Sequence, residues 1–249
     1  MKALITGASS GMGRDMALIL SQKYDELVLV ARNKERLEDL KNVITKTTDT
    51  KVKIVSMDLS NIDNIKKLHS QNKDVDLLIN NAGFGDLGYF SETDLEKDLL
   101  MINTNVVALH TLTKLYLKDM LKNNKGHILN VASIAGFMPG PLMASYYATK
   151  NYVVNLSESI REELKHLKTN VKISILCPGP VNTNFFKTAN FNVNYKFSNS
   201  FDIAYYALNH LNKFYIMPTF TTRFSKGLLK IAPKSWVARF IYKFQSNRK

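Results

Sequence analysis

The sequence predicts an α/β protein with one doubly wound parallel sheet, because apolar strand-like runs alternate with helical segments along the chain. Six runs have the continuous apolar character of strands covered on both faces: KALIT, ELVLVA, VKIVSM, VDLLIN, HILNVA and VKISIL. The helical segments between them fall near residues 12–23, 34–46, 61–72, 92–122 and 144–167. A chain of 249 residues with 45% hydrophobic content is long enough to fill the core of one such domain.

The first strand runs into a glycine-rich turn that opens the first helix. It reads TGASSGMG at residues 6–13, with the spacing Gly-x-x-x-Gly-x-Gly. Such a turn lets the backbone approach a pyrophosphate and points a helix N-terminus at the anion. A tight turn without a ligand is the alternative, but the position between a strand and a helix favours a Rossmann-like dinucleotide site. The expected contacts are Gly7, Ser9, Ser10, Gly11, Met12 and Gly13.

The second strand ends in LVLVARN, and its last residues bear on cofactor choice. An acidic residue usually stands here when the cofactor ribose carries no phosphate, but this chain has Ala31 followed by Arg32. A guanidinium suits a phosphate dianion, so we predict a preference for NADP(H). The alternative is a surface arginine at the start of the next helix.

A tyrosine and a lysine four residues apart lie near the start of the helix predicted over 144–167. Tyr146 and Lys150 share one helical face, so the ammonium can stand beside the phenol. A cation there lowers the pKa of a phenol from about 10, which suits a general acid or base. Ser133 closes the run HILNVAS and can bring a hydroxyl to the same place. The alternative is a packed ring with a solvated lysine.

Taken together, these features resemble the short-chain dehydrogenase/reductase family over essentially residues 1–185. The motifs follow in the family's order: TGASSGMG, Asp58 in MDLS, NNAG at 80–83, Asn105 in NTNVVA, Ser133, Tyr146-x-x-x-Lys150 and PGPVNT at 178–183. The resemblance implies an NADP(H)-dependent carbonyl reductase or alcohol dehydrogenase. Tyr146 would exchange the proton, Ser133 would hydrogen-bond the substrate oxygen, and a nicotinamide would exchange the hydride.

The resemblance also implies contacts on the adenosine side of the cofactor. Asp58 and Leu59 would border the adenine, and Asn81, Ala82 and Gly83 would line the cleft. Two alternatives stay open: Asp58 caps the helix that follows it, and the asparagines at 80–81 only satisfy backbone groups at a strand end.

On the nicotinamide side, the resemblance implies that Lys150 binds the ribose and that Asn105 holds a water linking the lysine to solvent. For Asn105 the alternative is a kink in the helix. Of the two neighbouring tyrosines, Tyr146 is expected to react and Tyr147 to pack. Cys177 is expected to be a small, buried hydrophobic side chain. Val181 and Thr183 would hold the carboxamide. The expected cofactor contacts in this last motif are Pro178, Gly179, Val181 and Thr183.

The substrate is expected to be an apolar ketone or alcohol, up to the size of a steroid or an acyl chain. The resemblance makes residues 184–201 a lid, and that segment is rich in aromatic residues. The alternative is that these side chains fill the core or a dimer contact. The apolar candidates are Phe84, Phe137, Met138, Leu142, Met143, Phe185, Phe186, Phe191, Tyr195, Phe197 and Phe201.

The positive charge is concentrated in the last third of the chain. The formal net charge is +13, yet residues 1–163 carry 20 basic and 20 acidic side chains. The remaining residues carry 14 basic side chains and one acid, Asp202. Within them, KSWVARFIYKF at 234–244 reads as a basic amphipathic helix, which suits an anionic membrane surface. The alternative is a C-terminal helix packed on the domain or on a sister subunit.

We therefore predict an oxidoreductase domain over 1–219 and a basic C-terminal extension over 220–249. A homodimer or homotetramer through the long helices is expected, with 223–248 as the candidate membrane contact and no specific nucleic acid. A single cysteine suits a reducing compartment, so a cytoplasmic location is expected. We expect no signal peptide, no membrane-spanning segment and no metal site. The rival interpretations are a catalytically silent NADP(H) sensor or scaffold, and a basic protein that associates with membranes or nucleic acid.

Overall fold

A computed structural model of the chain describes residues 1–182, 198–229 and 231–246. Its centre is a seven-stranded, fully parallel sheet with the order β3-β2-β1-β4-β5-β6-β7, which confirms the predicted doubly wound fold. The strands are β1 Lys2–Thr6, β2 Glu26–Ala31, β3 Lys51–Ser56, β4 Leu77–Asn80, β5 His127–Val131, β6 Lys172–Leu176 and β7 Tyr215–Ile216. The last strand has only two residues, too few for a sequence pattern to reveal it.

Helices cover both faces of the sheet. They are α1 Gly11–Leu20, α2 Lys34–Thr47, α3 Ile62–Gln71, α4 Leu95–Ile102, α5 Leu109–Lys122, α6 Ala144–His166, α7 Ser200–Asn209, α8 Phe220–Leu229 and α9 Lys234–Ser246. The segment predicted as one helix over 92–122 is α4 and α5 joined by a π-helical turn, Asn103–Ala108. A π turn keeps the helical apolar spacing on both sides, so the sequence pattern did not reveal it.

Two apolar layers form the core, one on each face of the sheet. Side chains of β1 and β2 pack on α1, α2 and α7 on one face. On the other face, strand side chains pack on α3, α5 and α6. Strands β1, β2, β4, β5 and β6 are therefore largely covered on both sides, which explains their unbroken apolar runs, whereas the edge strand β3 has no fully buried residue.

A buried polar chain also joins the sheet to the helices beneath the candidate site. The Asn80 amide nitrogen donates to the Thr113 hydroxyl at 3.0 Å and to the Asn130 side-chain oxygen at 2.9 Å. The Asn130 amide in turn donates to the Ser157 hydroxyl at 2.9 Å. These bonds tie β4 and β5 to α5 and α6, and so fix α6 against the end of the sheet.

The strand order reverses between β1 and β4, where successive helices lie on opposite faces. In open α/β sheets, ligands bind outside the carboxyl ends of the strands at such a reversal. The glycine turn follows β1, the NNAG motif follows β4, and Ser133 follows β5. The topology therefore brings the separate sequence motifs to one edge of the sheet.

Helix α9 packs over this edge through one of its sides. Ile241 and Gln245 are buried, and the Gln245 amide donates to the Tyr147 hydroxyl at 2.9 Å. The hydroxyls of Tyr242 and Tyr89 lie 2.8 Å apart. The extension predicted over 220–249 is thus joined to α6 and to the segment after β4 by side-chain contacts, while the boundary at 219 stays a prediction. Within the described ranges, none of the helices combines the length and the apolar character needed to cross a membrane.

Candidate active site

The glycine turn between β1 and α1 adopts a backbone that requires glycine. Gly7 has φ +68° and Gly11 has φ +53°, both in the left-handed region. A Cβ on Gly13 would lie 2.4 Å from the Gly7 carbonyl oxygen, closer than packing allows. The turn is therefore folded tightly on itself, and its backbone is open to close approach by a ligand.

The N-terminus of α1 is suited to an anion. Ser10 occupies the N-cap position with an extended backbone, and its side chain makes no capping hydrogen bond to the first turn. The first turn contains no acidic residue. Backbone N–H groups at such a helix start carry partial positive charge and favour a phosphate group.

Asn81 braces this turn from the neighbouring strand. Its amide nitrogen donates to the Thr6 carbonyl at 3.0 Å and to the Gly7 carbonyl at 3.3 Å. The Thr6 hydroxyl accepts from the backbone N–H groups of Asn81 and Ala82, each at 3.0 Å. The side chain of Asn81 thus satisfies backbone, as the alternative interpretation held, and it also lines the cleft.

A cavity of about 380 Å³ extends from the glycine turn to the end of β2. Asp58 accepts a hydrogen bond from the Ser60 N–H, while Asn61 caps α3, so the alternative of Asp58 as that helix cap is wrong. Sequence reasoning missed Arg36, which lies four residues after Arg32 and lines the same cavity. Its lining includes the predicted positions Gly7, Ser9, Ser10, Gly11, Met12, Ala31, Arg32, Asp58, Leu59, Asn81, Ala82 and Gly83.

A second cavity, of about 420 Å³, contains the predicted reactive residues. Ser133, Tyr146 and Lys150 all line it, and the Tyr146 phenol hydrogen-bonds Ser133. The Lys150 ammonium lies 5.8 Å from the centre of the Tyr146 ring. The two cavities share Met12, Asn81 and Gly83, so they adjoin and form one cleft.

Burial controls the titration of the two central groups. Burial raises the pKa of the Tyr146 phenol, and the hydrogen bond from Ser133 only partly opposes this. The sequence-based expectation of a lowered pKa is therefore wrong for the protein alone. Burial also lowers the pKa of Lys150 to about 8, because a charged ammonium is disfavoured away from water.

The Lys150 ammonium is held by the sheet. It donates to the Val131 carbonyl oxygen, the last residue of β5, at 2.9 Å. This bond crosses from α6 to the strand and orients the lysine beside the cleft. A Cβ on Gly83 would lie 3.6 Å from the Lys150 nitrogen, so the glycine leaves the approach to the ammonium open.

Asn105 lies in the π-helical turn and is almost fully buried. Its amide nitrogen donates to the Phe84 carbonyl at 2.8 Å and to the Thr149 hydroxyl at 3.2 Å. Its side-chain oxygen accepts from the Phe84 N–H at 3.1 Å. Asn105 therefore lies both in an irregular helical turn and next to the site. The π-helical turn directs its side chain towards α6 and towards the segment after NNAG.

Tyr147 packs, as predicted, and leaves Tyr146 as the tyrosine beside Ser133. A Cβ on Gly140 would lie 2.1 Å from the Tyr147 ring, so the ring rests directly on that glycine. Its hydroxyl accepts the hydrogen bond from Gln245. Cys177 is fully buried, as expected for a small apolar side chain, and burial raises the pKa of its thiol to about 12.

The wall of the second cavity combines predicted and unpredicted residues. Pro178, Gly179 and Val181 line it, whereas Thr183 lies outside the described residues, as does most of the lid expected over 184–201. The aromatic candidates Phe185, Phe186, Phe191, Tyr195 and Phe197 also lie outside them.

Among the described apolar candidates, Met138 and Met143 line the second cavity, which we call the substrate end of the cleft. Phe137 packs in the core against Tyr215, and Leu142 is buried. Phe84 lines the first cavity, which extends from the glycine turn and which we call the nucleotide end of the cleft. Phe201 is exposed on α7. Sequence reasoning missed the contribution of the last two helices, since an amphipathic pattern does not say which surface a helix covers. These additional lining residues are Thr221, Thr222, Ser225, Phe240, Ile241, Phe244 and Gln245.

Comparison with known sequences points to one family. A family model described as short chain dehydrogenase matches residues 1–194. An uncharacterized oxidoreductase of Staphylococcus epidermidis is 36% identical over 166 residues, 65% of this chain and 70% of the relative. The very-long-chain 3-oxoacyl-CoA reductase of Rattus norvegicus is 31% identical over 169 residues, 66% of this chain and 54% of the relative. The match thus spans about half the length of that reductase.

Solved structures agree with the sequence comparison. A short-chain dehydrogenase from Sphingobium yanoikuyae in complex with NADPH has a TM-score of 0.84 at 26% identity, covering 94% of this chain and 97% of that one. A short chain dehydrogenase/reductase from Burkholderia phymatum in complex with NAD has a TM-score of 0.79 at 26% identity, covering 89% and 91%. The fold is therefore compatible with a nicotinamide dinucleotide of either kind.

Replacing Gly13 with alanine is expected to displace the glycine turn. The new Cβ would lie 2.4 Å from a backbone oxygen that cannot rotate away. We expect a loss of about 1–3 kcal/mol in unfolding free energy and weaker NADPH binding. Gly227→Ala is the matched control, because no atom lies within 4 Å of its added Cβ. Chemical denaturation and fluorescence titration measure both effects, and normal NADPH binding by Gly13→Ala would contradict the assigned role of the turn.

Replacing Lys150 with methionine is expected to change how stability depends on pH. Because burial lowers the folded-state pKa from 10.5 to about 8, the unfolded chain binds more protons between these values. The wild-type penalty is full below about pH 8 and disappears as the pH rises to 10.5. Relative to wild type, the variant should therefore lose up to about 3 kcal/mol between neutral pH and pH 10.5.

Urea unfolding across this pH range, without nucleotide, measures the difference. The exposed Lys114 provides the control, since Lys114→Met should follow the wild-type curve at every pH. Parallel curves for Lys150→Met and wild type would show that burial does not disfavour the Lys150 charge.

Proposed function

The chain belongs to the short-chain dehydrogenase/reductase family, and we propose that it interconverts an apolar ketone and its secondary alcohol with NADP(H). The observation that carries this proposal is the meeting of Ser133, Tyr146 and Lys150 in one cavity that continues into the glycine turn. A catalytically silent sensor or scaffold is disfavoured because all three reactive side chains are present and line the same cavity. The alternative of a basic protein that associates with membranes or nucleic acid does not explain why these three side chains occur together.

Tyr146 is the general acid in carbonyl reduction and the general base in alcohol oxidation. In reduction its phenol donates a proton to the substrate oxygen as negative charge develops there. The neighbouring Ser133 hydroxyl donates a hydrogen bond to the same oxygen, so two fixed donors meet the growing charge. A bound nicotinamide supplies or accepts the hydride.

Lys150 makes this proton transfer feasible. Burial alone keeps the proton on Tyr146, so the phenolate that forms in the reaction needs a nearby positive charge. The Lys150 ammonium bonds to the Val131 carbonyl and lies 5.8 Å from the centre of the Tyr146 ring, which supports this role. We assign Lys150 two roles: it stabilises the Tyr146 phenolate and binds the cofactor ribose. Asn105 would hold a water that connects Lys150 to solvent.

NADP(H) is proposed over NAD(H) because of the charges at the end of β2. Arg32 and Arg36 both border the nucleotide cavity there, and Ala31 stands where an acid would oppose a phosphate. Two guanidinium groups can meet a ribose phosphate by charge-assisted hydrogen bonds. Asp58 and Leu59 would then border the adenine, while Val181 and Thr183 would hold the carboxamide.

The proposed substrate carries its ketone on a long apolar body such as an acyl chain. Two methionines and the aromatic side chains of α9 line the substrate end of the cleft. A pocket of this kind excludes strongly hydrated substrates and accepts flexible hydrocarbon. The relatives named very-long-chain 3-oxoacyl-CoA reductase agree with this substrate class.

We also propose that two copies associate through α4 and α6. A groove of about 420 Å³ lies between these helices, and its lining is largely apolar. Phe90, Ile102 and Tyr152 border the groove and are exposed in the single chain. Burying such a face against a second copy would remove apolar surface from water.

Replacing Tyr146 with phenylalanine is expected to abolish turnover while the fold and NADPH binding persist. Loss of the phenolic proton donor raises the barrier by about 3–4 kcal/mol, a hundred- to thousandfold loss in rate. NADPH oxidation followed by absorbance with a panel of ketones measures the change. Tyr205→Phe, on the exposed face of α7, is the control. Near wild-type reduction by Tyr146→Phe would refute the mechanism.

Replacing Arg32 and Arg36 together with alanine is expected to weaken binding of NADPH but not of NADH. Each lost hydrogen bond to a charged group is worth about 1.5–3 kcal/mol, so losing one from each arginine should lower the cofactor preference by about a hundredfold or more. The ratio of kcat/KM for the two cofactors measures it. Lys34→Ala removes a charge from the same helical turn outside the cavity lining and serves as control. An unchanged ratio would count against NADP(H) preference.

A further inference from the structure

The outer sides of α8 and α9 expose a surface of large apolar side chains. Phe220 is 78% exposed, Ile231 82% and Trp236 69%, which is unusual for side chains of this size. The rings of Phe220 and Phe224 stack on each other, as do those of Phe240 and Phe244. We name this set the C-terminal apolar surface: Phe220, Phe224, Leu228, Ile231, Trp236, Phe240 and Phe244.

Two residues of this surface border the cavity that contains Tyr146. Phe240 and Phe244 are exposed and also line the cavity that contains Tyr146. The exposure does not reflect a detached helix, because Ile241 and Gln245 on the inner side of α9 are buried. The inner side of α9 therefore packs on the domain, as one interpretation of the C-terminal stripe expected, while the outer side of the helix carries exposed apolar side chains.

Charge identifies the kind of partner that fits the surface. The chain contains no acidic residue after Asp202. Lys234, Arg239 and Lys243 are exposed on α9 between the apolar side chains. A second copy docked face to face would bring these like charges together without a compensating acid, which disfavours self-association. Nucleic acid would meet the charge but not the apolar rings.

An anionic lipid bilayer satisfies both features. Aromatic side chains are favoured in the interfacial zone, and basic side chains meet anionic headgroups. We propose that the C-terminal apolar surface docks on the interfacial region of an anionic bilayer. The cavity mouth then opens towards the lipid, and an apolar ketone reaches Tyr146 without passing through bulk water. This delivery step rests on the proposed function, whereas the docking does not.

Flotation with phosphatidylserine-containing vesicles at low salt tests the docking. Wild-type protein should float, and Phe224→Ser with Trp236→Ser should lower the partition coefficient by about a hundredfold, because two aromatic side chains no longer enter the interface. Both side chains are well exposed and outside the cavity lining, so the fold should persist. Val43→Ser with Leu167→Ser is the matched control on other exposed positions.

A charge series separates headgroup attraction from apolar insertion. Changing Lys234, Arg239 and Lys243 to glutamine should weaken binding to anionic vesicles by about a hundredfold, at roughly fivefold for each charge. The control changes three exposed lysines on α2 and α5 to glutamine: Lys46, Lys114 and Lys118.

Several outcomes would overturn the docking. Absence of flotation at low salt is one, and equal flotation of the Phe224→Ser, Trp236→Ser variant and wild type is another. Sedimentation provides a third: a lower mass of this double variant, compared with wild type, would identify the surface as a contact between copies.

Kinetics separate lipid delivery from the proposed activity. The double variant should reduce a water-soluble ketone at the wild-type rate but a vesicle-dissolved ketone at least tenfold more slowly. Equal rates of both proteins on the vesicle-dissolved ketone would overturn lipid delivery. If neither protein reduced any ketone while wild type still floated, the proposed activity would fail and the docking would stand.

Discussion

The hydrogen bond from the Lys150 ammonium to the Val131 carbonyl is the contact on which the arrangement of the site depends. It fixes a cation of α6 against the end of β5, in a place where burial disfavours the charge. Tyr146 lies one turn earlier on the same helix, where its phenol hydrogen-bonds Ser133. A lysine held in water would be more stable as an ammonium, but it would do less for a buried phenolate.

In the part of the chain that the structure describes, neutral polar groups rather than carboxylates hold together the elements around this unfavourable charge. Asn105 joins the π-helical turn to Phe84 and Thr149, and the chain from Asn80 through Asn130 to Ser157 joins the sheet to α6. A carboxylate beside the lysine would stabilise its charge, but it would also oppose the formation of a phenolate. Neutral amides and hydroxyls hold the helix in place without that electrostatic penalty.

The C-terminal helices give the cleft a wall and an outer surface from the same residues. Ile241 and Gln245 turn inward, while Trp236 turns outward, and the rings of Phe240 and Phe244 lie at the boundary between cavity and exterior. This arrangement links the choice of substrate to the surface that the protein presents. An apolar wall that continues into an apolar exterior favours a substrate that is itself delivered from an apolar phase.

The sequence by itself determined the parallel sheet and the glycine turn, because these follow from local periodicity and short motifs, and its family resemblance pointed to Ser133, Tyr146 and Lys150 as one group. Only the tertiary structure decided the direction of the Tyr146 pKa shift, the contribution of Arg36 and the position of α9 over the cleft. Each of these depends on which distant segments exclude water from a side chain. Spacing along one chain does not contain that information, because burial is a property of the packed molecule.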